Sequence, residues 1–136
     1  MPTLFTKIIN GEIPCHKVLE DDRHLAFLDI RPLKRGHTLV IPKKESDYIF
    51  ALPEDELAAL MSFARKVARN LEKAIPCKRI GIMVAGLEVP HTHIHLIPMD
   101  SVRDLNFANA QTVPREEIAE TAKKIREVIE GKSNNN

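Results

Sequence analysis

The chain has no tryptophan and a single tyrosine among its 136 residues, so it lacks the aromatic platform on which single-stranded nucleic acid stacks. It also has almost no excess charge. Twenty Lys and Arg against nineteen Asp and Glu leave a net +1, which removes the bulk electrostatic case for nucleic acid or an anionic membrane as a partner. Its two cysteines, Cys15 and Cys77, form no Cys-x-x-Cys pair and read as reduced structural thiols rather than a disulfide framework. No apolar run approaches the roughly 20 residues of a membrane-spanning helix. The segment Met1 to Lys7 carries neither the apolar core nor the cleavage site of a secretory signal. A cytoplasmic protein of one domain, long enough to bury a real core, is expected.

What the chain does have is histidine in one place. Half of its six histidines fall in Val89-Pro90-His91-Thr92-His93-Ile94-His95-Leu96-Ile97-Pro98. The alternation has period 2, and Thr, Ile and Val favour extended backbone, so the spacing predicts a strand over Val89 to Pro98. His91, His93 and His95 would then line one face over roughly 13 Å, with Thr92, Ile94 and Leu96 turned to a core. Each imidazole brings two ring nitrogens that need partners, so three together argue against a bland apolar role. Two functional readings follow from the residues. One is a metal site, since His at i and i+2 can share an ion. The other is nucleophilic or acid–base chemistry by imidazole near neutral pH. The nearest carboxylates, Glu88 and Asp100, lie outside the triad, and composition does not choose between the two.

Around this stretch the chain alternates short extended and helical segments. Leu4 to Ile9 has helical spacing and is broken by Asn10-Gly11. Lys17 to Glu20 and His24 to Ile30 read as a hairpin, and His37 to Ile41 as a third strand stopped by Pro42. Pro53 to Ala74 is the strongest helix, with Glu54, Asp55 and Glu56 at its positive end and a stripe of Leu57, Leu60, Met61, Ala64, Val67, Ala68 and Leu71. Arg79 to Ala85 reads as a fourth strand, and Gly86-Leu87-Glu88 as a tight turn into the histidine strand. Pro114 opens a last helix, with Ile118, Ala122, Ile125, Val128 and Ile129 as its buried stripe and Gly131 as its stop. Residues 1–132 make one domain, and Ser133 to Asn136 a disordered polar tail. The fold class is α+β: an antiparallel sheet of about five strands with helices on one face.

The run His91-Thr92-His93-Ile94-His95-Leu96-Ile97 resembles the defining motif of the histidine triad (HIT) family, His-φ-His-φ-His-φ-φ with φ apolar. The likeness extends upstream, in order and spacing, to Phe5-Thr6-Lys7-Ile8-Ile9-Asn10-Gly11-Glu12-Ile13-Pro14, Glu20-Asp21-Asp22, Leu25-Ala26-Phe27-Leu28-Asp29-Ile30-Arg31-Pro32 and Gly36-His37-Thr38-Leu39-Val40-Ile41-Pro42-Lys43-Lys44. Together these blocks span roughly residues 4–99. The resemblance implies a nucleotide-binding hydrolase or transferase that attacks the α-phosphate of a purine nucleotide conjugate. His93 would be the nucleophile and form a covalent nucleotidyl-imidazole, with its tautomer held by a backbone carbonyl. His95 and His37 would contact phosphate oxygens, and His91 would orient the site. Asp29 would accept the ribose hydroxyls, and Phe5, Ile8, Ile13, Phe27 and Ile30 would form the base pocket. A homodimer is implied, and no cofactor.

The chain departs from the family pattern in two places. Some members carry a structural zinc on two cysteines near the start. Here Thr3 and Thr6 stand in those places, so no metal is expected. Ahead of the triad, Met83-Val84-Ala85-Gly86-Leu87-Glu88-Val89 is shorter than usual and lacks an Asn, and Glu88 stands where a neutral hydrogen-bond donor is common. A carboxylate there would repel phosphate. This leaves two further readings beside the enzyme: a nucleotide-binding protein with little turnover, and a metal-dependent hydrolase that uses the triad as ligands.

Overall fold

Among the described residues, three α-helices divide unequally between the two faces of one sheet. The computed structural model describes residues 2–131. Its strands are β1 (Lys17–Glu20), β2 (His24–Leu28), β3 (Thr38–Pro42), β4 (Arg79–Met83) and β5 (Ile94–Met99). They form a single antiparallel sheet in the order β1-β2-β3-β5-β4. The helices are α1 (Leu4–Ile9), α2 (Glu54–Ala74) and α3 (Arg115–Ile129). This is the α+β fold expected from the sequence, with one long helix and an additional C-terminal one. The tail expected to be disordered lies outside the described residues.

Alternation along the strands sorts side chains into two apolar clusters. On one face Val18, Ala26, Leu28, Val40, Ile94 and Leu96 meet Leu60, Val67 and Leu71 of α2 and Ile118, Ala122 and Ile125 of α3. Each Val, Leu or Ile among them, fully buried, contributes about 1.5–3 kcal/mol. On the other face Leu25, Phe27, Leu39 and Ile41 pack against Phe5, with Ile8, Ile9, Cys15 and Val89 at the margin. Helix α1 sits there, started by a capping box in which Thr3 and Thr6 satisfy each other's backbone amides. Met61, expected in the α2 stripe, is exposed instead. Phe63 takes a buried place on α2 and stacks on His24.

Several strand ends differ from the sequence reading, each for a local reason. β2 stops at Leu28 because the Asp29 carboxylate accepts the Arg31 amide at 2.8 Å and turns the chain. His37 lies just before β3, its own amide donating to Lys34 O at 3.0 Å. The hairpin of β4 and β5 closes at the pair Met83–His95, so residues 84–93 form a loop. There Pro90 offers no donor, His91 N bonds Val89 O, and Thr92 N bonds Ser46 O. The expected strand over Val89 to Pro98 is therefore half strand, half loop: only His95 of the three histidines is on β5.

Candidate active site

Strand register places Phe27, Leu39, His95 and Met83 in one row across the sheet, on the face opposite α2 and α3. Over this row opens a pocket of about 490 Å³. Phe5, Ile8, Ile13, Phe27, Ile30 and Leu39 give it an apolar end, Asp29 stands at its side, and His93 and His95 line its other end with Phe107. The loop Ala85 to Val89, including the exposed Glu88, forms a wall. The rings of Phe5, His93, His95 and Phe107 make an edge-to-face series, each centroid 5.0 Å from the next.

All three triad histidines are buried, and their hydrogen bonds show why this is tolerated. His93 Nδ1 lies 2.7 Å from His91 O. A carbonyl only accepts, so Nδ1 carries the proton, and the neutral ring has its lone pair on Nε2. His91 Nε2 donates to Pro42 O at 2.8 Å, which leaves Nδ1 to accept the Thr3 hydroxyl at 2.8 Å. The Leu33 amide donates to His37 Nδ1 at 3.0 Å, so His37 Nε2–H donates to His95 Nδ1 at 2.9 Å. His95 therefore keeps its own proton on Nε2. Among the described residues no fully buried side-chain nitrogen or oxygen lacks a partner. Of the ring nitrogens of His37, His91, His93 and His95, the two without a protein partner, His93 Nε2 and His95 Nε2, therefore open on the pocket: one lone pair beside one N–H.

The electrostatics agree with neutral rings at His37, His91 and His95. Burial pushes His37 down to about 4. Burial, with His37 and His93 alongside, pushes His95 down to about 3. His91 is lowered by burial as well. Burial raises the Asp29 carboxyl above its ordinary range, opposed by the Arg31 amide. Asp29 Oδ2 is 3.7 Å from His37 Nε2, but with His37 neutral this is no ion pair.

The metal reading of the triad needs several imidazole lone pairs converging on one point. Of the six triad ring nitrogens, hydrogen bonds engage four, and only His93 Nε2 offers a lone pair to the pocket. Asp29, His37 and His95 do bring ligand atoms within 4.8 Å of one another, but there His37 and His95 are already joined through a proton.

The structure thus brings together His37, His93, His95, Asp29 and the five apolar residues singled out in the sequence, with His91 behind His93 and Glu88 on the wall. Sequence reasoning missed Leu39, Phe107 and the Leu33 amide. Leu39 was readable in principle from strand alternation. Phe107 comes from an irregular segment, and a backbone amide leaves no mark in a sequence.

Comparison with known proteins accounts for this arrangement. The HIT domain model matches residues 10–102, and the chain belongs to the HIT family. It is 45% identical over 100 residues to a HIT-like protein of Methanocaldococcus jannaschii, covering 70% of this chain and 77% of that one. It is 37% identical over 103 residues to an adenosine 5′-monophosphoramidase of Schizosaccharomyces pombe, covering 72% and 74%. Among solved structures, a hypothetical histidine triad nucleotide-binding protein of Sulfolobus tokodaii aligns over 93% of this chain and 91% of its own, with a TM-score of 0.83 at 32% identity. A zinc-bound histidine triad protein of Mycobacterium smegmatis aligns over 94% and 93%, with a TM-score of 0.81 at 27% identity. Among the described residues no helix is long and apolar enough to cross a membrane.

Proposed function

We propose that this protein binds a purine nucleotide conjugate and cleaves it at the α-phosphate through a covalent nucleotidyl-His93 intermediate, releasing the nucleoside monophosphate. The observation that carries the reading is the pairing of His93 Nε2, a lone pair, with His95 Nε2–H at one end of an apolar pocket. The base enters between Phe5, Ile8, Ile13, Phe27 and Ile30, and the ribose hydroxyls meet Asp29. His93 Nε2 then attacks phosphorus. A P–N bond forms, the bond to the leaving group breaks, and the departing atom takes the electron pair and a proton from solvent. His95 Nε2–H, backed by His37, donates to the phosphoryl oxygen on which charge builds. In the second step water attacks the phosphoramidate, its proton goes to solvent, and His93 leaves as a free imidazole. Two modest displacements replace one difficult one. The similarity to a monophosphoramidase supports a phosphoramidate as substrate. A homodimer belongs to the same reading, with exposed Ile82 on the edge strand β4 and Met61 on α2 as apolar surface for it.

The test is mass spectrometry after rapid acid-free quenching with an adenosine phosphoramidate. An AMP adduct on the parent and none on His93→Ala supports the reading. AMP binding without cleavage of any conjugate would overturn it in favour of a binding protein, a role for which Glu88 on the pocket wall is the specific motive.

A further inference from the structure

The loop that holds the nucleophile lacks ladder hydrogen bonds, so something else must fix the His91 carbonyl on which the His93 proton depends. His91 itself is fully buried and 88 residues from its partner Thr3. The donors and acceptors around it can be assigned one by one. The Thr6 amide donates to Thr3 Oγ1 at 3.0 Å, and the Thr3 hydroxyl donates to His91 Nδ1 at 2.8 Å. The Thr3 amide donates to Thr6 Oγ1 at 3.2 Å, and the Thr6 hydroxyl donates to Glu45 Oε2 at 2.5 Å. Each hydroxyl has one proton, and each is committed. On its far side the His91 ring is held by Pro42 O.

We propose that Thr3 is a positioning residue for the nucleophile: through its hydroxyl it holds the His91 ring, and with it the carbonyl that takes the Nδ1 proton of His93. Thr3, Thr6, Glu45 and His91 form a clasp closed by hydroxyls in the place where some family members use cysteines and zinc. The four do not fit a structural zinc. Zinc takes thiolate, imidazole and carboxylate, and two of these four are neutral hydroxyls already spent on other acceptors. The clasp ties the start of α1, the residues after β3 and the triad loop into one unit, so α1 is linked both to the base pocket, through Phe5, and to the reacting nitrogen.

The proposal rests on the reading of His93 as nucleophile for its effect on rate, but its core is the protonation pattern, which is measurable without turnover. In the parent, nitrogen NMR of the histidine rings should show His91 protonated at Nε2 and bare at Nδ1; the reverse pattern overturns the clasp. Thr3→Ser keeps both the cap and the donor, and should keep kcat within threefold. Thr3→Asp keeps an acceptor for the Thr6 amide but has no proton to give to His91. It should move the His91 proton to Nδ1 and lower kcat roughly 10- to 100-fold, with AMP affinity within threefold of the parent. Equal kcat in the Ser and Asp variants overturns the positioning role, and so does loss of AMP affinity in step with kcat. If Thr3→Asp does not fold, the parent ring spectrum still decides. A parent that cleaves nothing sinks the proposed function and leaves the ring assignment to be judged alone. EDTA should change neither the melting temperature nor kcat, and a fall in either overturns the metal-free clasp.

Discussion

His37 and His95 are joined Nε2 to Nδ1 at 2.9 Å, and the bond runs in one direction because the Leu33 amide has already claimed His37 Nδ1. The proton that His95 presents to the pocket is thus set two residues back along the relay, by a main-chain N–H.

Replacing His37 by Phe keeps a ring in the space and removes the relay. The Leu33 amide and His95 Nδ1 lose their partners, and leaving buried polar groups unsatisfied costs about 1–3 kcal/mol. His95 becomes free to carry its proton on Nδ1, withdrawing the donor from the pocket, so kcat should fall on the order of 10²-fold. Urea unfolding and steady-state kinetics of the variant measure the two effects separately.

Acid should destabilise the fold through the same pair. Both rings are held neutral, at about 4 for His37 and about 3 for His95, below the ordinary histidine value of about 6.5. The unfolded chain binds protons first, so stability is full above about pH 6.5 and declines as pH falls toward 4 and then 3. For His37 alone the loss is on the order of 3 kcal/mol, at about 1.4 kcal/mol per unit. Denaturant midpoints at pH 7.5 and pH 4.5 test it; equal midpoints in the parent would contradict the neutral relay.

Gly36 precedes His37 with φ +89°, and a Cβ there would stand 3.0 Å from Ile75 Cγ1 and 3.3 Å from Leu71 Cδ1. Gly36→Ala should cost about 1–3 kcal/mol through backbone strain and overpacking. Because Gly36 is joined directly to His37, kcat should fall as well. A melting curve unchanged from the parent would show that the α2 end yields.

Asp29→Ala should weaken AMP binding about 10- to 100-fold, the worth of charged hydrogen bonds at about 1.5–3 kcal/mol. The same substitution should leave a 2′,3′-dideoxy nucleotide unaffected. Calorimetric titration with both ligands separates ribose recognition from the role of Asp29 in turning the chain at Arg31, which would weaken both.

Phe107 touches His95 edge-on while 48% exposed, at the end of the ring series away from Phe5. Phe107→Ala should change stability by less than about 0.5 kcal/mol and leave AMP affinity alone. It should raise KM for conjugates with an aromatic leaving amine more than for the unsubstituted phosphoramidate. An equal KM change for both would place Phe107 away from the leaving group.

The architecture was legible because the helices α2 and α3 carry long apolar stripes and the strands carry β-branched alternation, signals that survive without tertiary context. The residues of the site were legible through the triad motif and its upstream blocks. What the alternation of His91, His93 and His95 suggested, a strand with three histidines on one face, holds only for His95. Period 2 reports side-chain direction in a ladder, and the ladder ends at Met83–His95 because Pro90 breaks it and Ser46 takes the Thr92 amide. Met61 was misplaced by a stripe drawn one residue too wide. The ring protonation states were beyond the sequence altogether, since the Leu33 amide, the Pro42 carbonyl and the His91 carbonyl are groups that nearly every residue type would supply.

A site ordered by main-chain groups drifts under few constraints. Side-chain exchange at positions 33 and 42 leaves the atoms that order the imidazoles in place, provided the chain keeps its path and residue 33 keeps an N–H. Lineages can therefore reshape the pocket wall while His93 and His95 keep their ring protons on the same atoms. Thr3 is the exception: its contribution lies in a single hydroxyl, and one nucleotide change can erase it.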